Sequence, residues 1–318
     1  MRALVWHGDQ DIVFEDLPEP VAKEGEVVFE VKIAGICGSD LHGYRGHPGP
    51  RVPPLVLGHE VVGRVGGESF AVYPLEGCGT CEHCRGGEDN LCDSWRLLGM
   101  HRSGAFAERV AISTRSLVGL PEGIDERRAV LTEPVACCVA ALRPHSVIAG
   151  TRVLIIGCGP IGLLTIFLAA GQGAEVYAVD PIPARRALAE RLGAAATDES
   201  VDQLDPAARS VELAIDAAGF ETTWRECINA VQPGGAVVVI GLGQAEGAFP
   251  MATLVRRAVT MRGQFAYSRA DFSRAIELLA QGDLELDWIT ERPLSDGAQA
   301  FSDLIDRPAQ YSKILLRP

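Results

Sequence analysis

Four cysteines fall within fifteen positions in GCGTCEHCRGGEDNLC (77–92), at Cys78, Cys81, Cys84 and Cys92. Three of them are separated by only two residues, a spacing at which two disulfide rings are awkward to close in so short a segment. The opening MRALVWHGDQ lacks the apolar core of a secretory signal, so a reduced, cytoplasmic setting is expected. In that setting C-x2-C-x2-C-x7-C reads as the four tetrahedral ligands of a structural zinc, with a redox cluster and chance as the alternatives.

Two further sets of residues could do chemistry. GICGSDLH (35–42) and GHE (58–60) supply Cys37, His59 and Glu60. A thiolate, an imidazole and a carboxylate are a catalytic type of zinc set, provided the fold joins them; singly, Cys37 also reads as a buried thiol and His59 as a satisfied histidine. Glu133 stands in the otherwise apolar TEPVACCVAAL, and a buried carboxylate needs a partner, a metal being one. The second set is VLIIGCGPIG, whose Gly157, Gly159, Pro160, Ile161 and Gly162 follow an apolar run and open a helical one. There the glycines allow a tight turn, backbone approach to a pyrophosphate, and close packing of helix on strand. Asp180, at the end of the next strand, can accept both ribose hydroxyls and repel a 2′-phosphate, which favours NAD over NADP. Arg185 and Arg186 follow closely and could soften that repulsion. The alternative is a strand–helix–strand unit with glycines for packing and a surface aspartate.

The elements that must position these residues change character near residue 145. Before it, short β-branched runs such as VVFEVKIAGI, LVLGHEVVGRV and GAFAERVAI are punctuated by Gly and Pro, as in a β-rich domain. After it, TRVLIIG, AEVYAVD, VELAIDAAG and GAVVVIGLG alternate with helical stretches, the pattern of a doubly wound parallel sheet. The fold class expected is therefore α/β, with a β-rich domain over 1–145 carrying the cysteine lobe, a nucleotide-binding domain over 146–284, and a return to the first domain over 285–318. Cys137, Cys138, Cys158 and Cys227 sit among apolar residues and read as small core side chains. The 318-residue chain is 47% hydrophobic and 22% charged, with a net charge of −13 from 29 basic and 42 acidic side chains. That balance argues against a nucleic-acid partner, and no apolar run is long enough to suggest a membrane one.

GICGSDLHGYRG, LVLGHEVVGRV, the four-cysteine lobe with GMHRSGAFAERV, TEPVACC and IIGCGPIG with Asp180 together resemble the zinc-dependent medium-chain dehydrogenase/reductase family, and within it the sorbitol (polyol) dehydrogenase type. The resemblance implies a GroES-like catalytic domain joined to a Rossmann domain, NAD as cofactor, and two zinc ions per chain. Cys37, His59 and Glu133 match the catalytic-zinc positions, with Glu60 as an additional or exchanging ligand. Asp40 matches the carboxylate that orients the zinc-binding histidine, and Ser39 and His42 match a proton relay to solvent. Glu133 in place of a cysteine, and Gly38 in place of histidine or arginine, distinguish the polyol type from alcohol dehydrogenases of the usual pattern. The activity implied is oxidation of a secondary alcohol, its hydroxyl acidified by zinc and its hydride passing to the nicotinamide. Cys78, Cys81, Cys84 and Cys92 take no part in that chemistry.

The chain departs from the family after GHE, where VGRVGGESFAVYP omits a longer segment and its G-D-R-V turn. A polyol or vicinal diol is the expected substrate, because an oxygen-rich zinc site could take two hydroxyls, and Tyr44, Arg45 and His47 could bond others. Oxidation of amino alcohols in the manner of a threonine dehydrogenase, or of simple alcohols, is the alternative; a zinc-lobe module binding nucleic acid or protein is a different class that the charge and the fingerprint disfavour. The partner expected is a small-molecule alcohol, and the oligomeric state a homo-oligomer, dimer or tetramer.

Overall fold

The computed structural model describes residues 1–47 and 49–318, and the chain divides into two compact units. One comprises Met1–Glu133 with Ser268–Pro318, the other Pro134–Tyr267. Both boundaries fall earlier than 145 and 284, where the change of texture places them. The second shift has a clear cause. Helix Arg269–Gln281 is tied to the first unit by Arg269, whose Nε donates to Asp89 (2.8 Å) and whose guanidinium lies 4.3 Å from the Tyr73 ring centre. Phe272, one turn on, meets the same tyrosine edge to face.

In the first unit, strand Glu26–Gly35 is the axis of a seven-stranded sheet. Its early residues pair with Arg109–Ser113, its later ones with Glu60–Val65, and its last two with the C-terminal strand Lys313–Arg317, all antiparallel. Such a strand, bonded on both sides, favours the β-branched and aromatic residues it carries. Register places Gly35 between Glu60 on one neighbour and Leu315 on the other. A Cβ at Gly35 would overlap the Glu60 carboxylate and crowd the Lys313 stem, so glycine there is what lets those two side chains meet. After GHE the chain makes a tight hairpin: Glu60–Val65 turns directly into Glu68–Val72 through Gly66 and Gly67, both at positive φ, as the tightest two-residue turns require. Phe29, Phe106 and Phe301 are fully buried in the core of this unit, each contributing about 1.5–3 kcal/mol by burial. Tyr44 belongs to this core as well, its ring 5.2 Å from Phe301. The expectation that it lines a polar loop is therefore corrected: helical periodicity turns it inward.

The second unit is a six-stranded parallel sheet in the order Ala196–Asp198, Glu175–Val179, Arg152–Ile156, Val211–Asp216, Val231–Val239, Thr260–Gly263. This is the doubly wound order, with its switch point beside Arg152–Ile156. The central strands are buried on both faces, which is why they read as unbroken apolar runs. Cys158 and Cys227 are buried here, as is Cys138, whereas Cys137 is half-buried.

Candidate metal and dinucleotide sites

Cys37 caps the N-terminus of helix Gly38–Tyr44, Glu60 begins the strand Glu60–Val65, and His59 immediately precedes it. The fold brings the three together, one ligand atom from each lying within 4.8 Å of the others. His59 and Glu60 are 3% and 1% exposed. Behind them lies Asp40, fully buried. Its Oδ2 accepts from the Cys37 amide (3.1 Å), while its Oδ1 stands 3.6 Å from His59 Nδ1 and 3.7 Å from Arg51. Neither Asp40 Oδ1 nor His59 Nδ1 has a partner within hydrogen-bond distance among the described residues, although both are buried. A carboxylate behind one ring nitrogen orients the other towards a metal. Burial opposes a charge on His59, yet the negative charges of Asp40 and then Cys37 override it and hold the imidazole well above its usual range. A divalent cation compensates the same field, so the donor set fits zinc.

Glu133, 9% exposed in the first turn of helix Thr132–Leu142, lies outside the group of three among the described residues. It acts on the same neighbourhood through Lys313. That lysine, 1% exposed, donates to the Ile36 carbonyl (2.9 Å) and forms an ion pair with Glu60. Burial works against its charge, but Glu60, Cys37 and Glu133 outweigh burial and raise its pKa above the usual 10.5. Ser39 Oγ accepts from Arg51 (3.4 Å), and His42 is exposed one turn further along the helix. Partial burial and the positive charges of His47, Arg45 and Arg51 lower the His42 imidazole.

Sequence reading assigned no role to Lys313 or Arg51. SKILLRP looks like an ordinary strand with a surface lysine, and the partner Glu60 is 253 residues away. Only the antiparallel register beside Gly35 connects them.

The four lobe sulfurs also converge within 4.8 Å of one another, and all four cysteines are free thiols. Cys78 Sγ and Cys84 Sγ are 4.0 Å apart, against about 3.8 Å for the edge of a tetrahedron built on zinc–sulfur bonds of about 2.3 Å. Backbone amides point at the sulfurs: Cys78 donates to Cys92 (3.3 Å), Cys81 to Cys78 (3.3 Å) and Cys84 to Cys81 (3.4 Å). Bonds from the Thr80 hydroxyl, the Thr80 amide and the Cys81 amide lower the Cys78 thiol to about 5. The lobe fits a closed structural zinc.

In the second unit, Gly159 caps helix Pro160–Gly171, which also carries Ile161 and Gly162. Space for a Cβ at Gly159 is empty to 4 Å, an open cradle against the helix N-terminus, where amide hydrogens lack carbonyl partners. Gly157 ends the preceding strand at φ +95°. Asp180, 4% exposed, accepts the Cys158 amide on Oδ2 (2.8 Å) and the Ile182 amide on Oδ1 (2.9 Å), so its carboxylate is fixed beside the glycine turn. Arg185 Nη1 lies 3.7 Å from Asp180, and Arg186 donates to the Asp180 backbone carbonyl (2.7 Å). These residues fit a dinucleotide.

Comparison with known proteins agrees with this geometry. Residues 23–122 match the alcohol dehydrogenase GroES-like domain, and residues 160–281 match the zinc-binding dehydrogenase domain. The chain is 30% identical to L-galactonate-5-dehydrogenase of Escherichia coli K12, over 90% of this chain and 89% of that protein. To D-xylulose reductase A of Aspergillus oryzae it is 31% identical, over 95% and 93%. A crystal structure from Sinorhizobium meliloti 1021, described as a zinc-binding dehydrogenase bound to NADP, superposes with a TM-score of 0.89 at 30% identity, covering 100% of this chain and 99% of that one. The chain belongs to the zinc-dependent medium-chain dehydrogenase/reductase family, in its sorbitol-dehydrogenase-like branch, and is an oxidoreductase that uses zinc and NAD(P).

Proposed function

We propose that the protein oxidises a secondary alcohol flanked by a further hydroxyl, a polyol or vicinal diol, with NAD as the preferred acceptor. The observation that carries this reading is the convergence of Cys37, His59 and Glu60 in front of Asp40. When bound, zinc supplies Lewis-acid polarisation of the substrate hydroxyl, and the nicotinamide takes up the hydride. Cys37 and His59 would hold the metal with a carboxylate, Glu60 being the nearer candidate and Glu133 the second. Lys313 balances the negative charge that these side chains gather. Ser39 passes the hydroxyl proton on, and His42, lowered in pKa and exposed, receives it and releases it to solvent. The second zinc, held by Cys78, Cys81, Cys84 and Cys92, shapes the lobe. An oxygen-rich donor set and the homology to enzymes named for L-galactonate and D-xylulose support the polyol assignment.

The carboxylate of Asp180, fixed by two amides, supports NAD over NADP, with Arg185 as the residue that limits the preference. A homo-oligomer, dimer or tetramer, is supported by the exposed Leu242, Phe249, Met251 and Val255 of the second unit, whose sheet ends in the strand Thr260–Gly263. Nine free thiols support a reducing, cytoplasmic location, and no described helix is long and apolar enough to cross a membrane. A panel of polyols, amino alcohols and simple alcohols, assayed by NADH absorbance, tests the substrate class. Polyols are expected to lead; ethanol or L-threonine outpacing every polyol would replace this reading.

A further inference from the structure

Helix Gly38–Tyr44, which carries Ser39 and His42, leads into a segment of unusual charge. From residue 41 to residue 59 there are two arginines and three histidines and not one acid, in a chain whose net charge is −13. The bordering acids are both buried and both engaged: Asp40 with the Cys37 amide, Arg51 and His59, and Glu60 with Lys313. Arg51 is threaded beneath the helix, its Cδ only 3.0 Å from where a Cβ on Gly43 would sit, and is held there by Ser39 and Asp40. Past the helix end, the His47 amide donates to the His42 carbonyl (3.0 Å), folding the loop back so that His47 lies beside His42. Between them Arg45 is exposed, and its guanidinium has no ion pair or hydrogen bond among the described residues. Elsewhere in this unit Arg102, Arg127, Arg292 and Arg317 are matched to carboxylates, whereas the exposed Arg85 and Arg96, which lie away from this helix in sequence, have no such pair among the described residues.

We infer that the substrate carries an anionic group, a carboxylate or a phosphate, at the end of the polyol remote from the reacting carbinol, and that Arg45 with His47 receives it. This rests on the polyol reading above and narrows it. The helix of seven residues is about 10 Å long, a span that a chain of roughly five or six carbons and an arginine side chain cover between them. Arginine suits both oxyanions through its planar fork of donors. The dinucleotide's own phosphates have a separate cradle at Gly159 in the other unit, so they do not account for a spare cation here.

The test compares matched substrates by NADH absorbance: neutral alditols, the corresponding aldonates, and alditol 1-phosphates. The anionic member is expected to exceed its neutral counterpart at least tenfold in kcat/KM at low salt, with the advantage shrinking several-fold at high ionic strength. Preference for aldonate or for phosphate identifies which anion is the natural one. Arg45→Gln is expected to cut the anionic-to-neutral ratio about tenfold, Arg45→Lys to restore part of it, and inorganic phosphate to compete with substrate in the wild-type protein. Neutral polyols turned over as well as their anionic counterparts would overturn the inference while leaving the polyol reading intact. So would an Arg45→Gln effect confined to the KM for the dinucleotide. Activity on no sugar alcohol or sugar acid, but on simple alcohols, would remove the polyol reading and this inference with it.

Discussion

Replacing Lys313 by methionine keeps an unbranched side chain of similar bulk and removes its charge together with its hydrogen bonds to Glu60 and the Ile36 carbonyl. Lys313 and Glu60 are each 1% exposed, and the carboxylate left behind, with Cys37 close by, would lose the lysine cation paired with it. Stranding one member of a buried pair costs about 3–5 kcal/mol. At about 2–4 °C per kcal/mol for a unit of this size, the first unit should melt about 6–20 °C lower. Thermal unfolding followed by circular dichroism, with zinc content measured on the same samples, separates loss of the pair from loss of metal. Lys313→Met combined with Glu60→Gln should recover most of the loss, because a neutral pair strands no charge. The pH dependence has a definite sign. Lys313 titrates above 10.5 in the folded chain, so its contribution is complete below about that pH and fades as pH rises through the folded pKa. The wild-type advantage over Lys313→Met should thus be flat from about pH 7 to 9 and shrink above about 10.5. A melting difference under about 2 °C, or a double variant as unstable as the single, would refute the reasoning.

Cys81→Ser should lose one zinc per chain and lower the melting temperature, read by metal analysis and calorimetry; retention of both ions would count against the lobe as a metal site. NAD should exceed NADP at least tenfold in kcat/KM, about 1.4 kcal/mol, and Asp180→Ser should narrow that gap. Equal rates in the wild type would show that Arg185 cancels the carboxylate. Ser39→Ala should lower kcat about 100-fold while NADH affinity, measured by fluorescence titration, stays within twofold; an unchanged kcat would take Ser39 out of the proton path.

Sequence legibility followed the distance over which each feature is encoded. The cysteine lobe and the glycine fingerprint are local: spacing within fifteen residues sets the sulfurs in one group, and a strand, a turn and a helix set the cradle. Cys37, His59 and Glu60 were readable as candidates because each stands in a distinctive short motif, but their meeting depends on the pairing of Gly35 with Glu60. Lys313 was invisible for the same reason, since nothing in KILLR signals a partner across two strands. Tyr44 was misplaced because a seven-residue helix is too short to show which face is buried. The boundary near 267 was obscured because a helix following the last Rossmann strand looks like part of that fold, whereas Arg269 and Phe272 fasten it to Asp89 and Tyr73.

The central claim is that catalysis depends on a metal held at Cys37 and His59, separate from the metal of the lobe. Zinc content, NADH binding and turnover of the best polyol, measured together on Cys37→Ser, test it most directly. The account predicts two zinc ions per chain in the wild type and one in the variant, turnover reduced to background, and NADH affinity largely retained in the second unit. A variant that keeps both ions, or that still oxidises the polyol at a rate near that of the wild type, would contradict it.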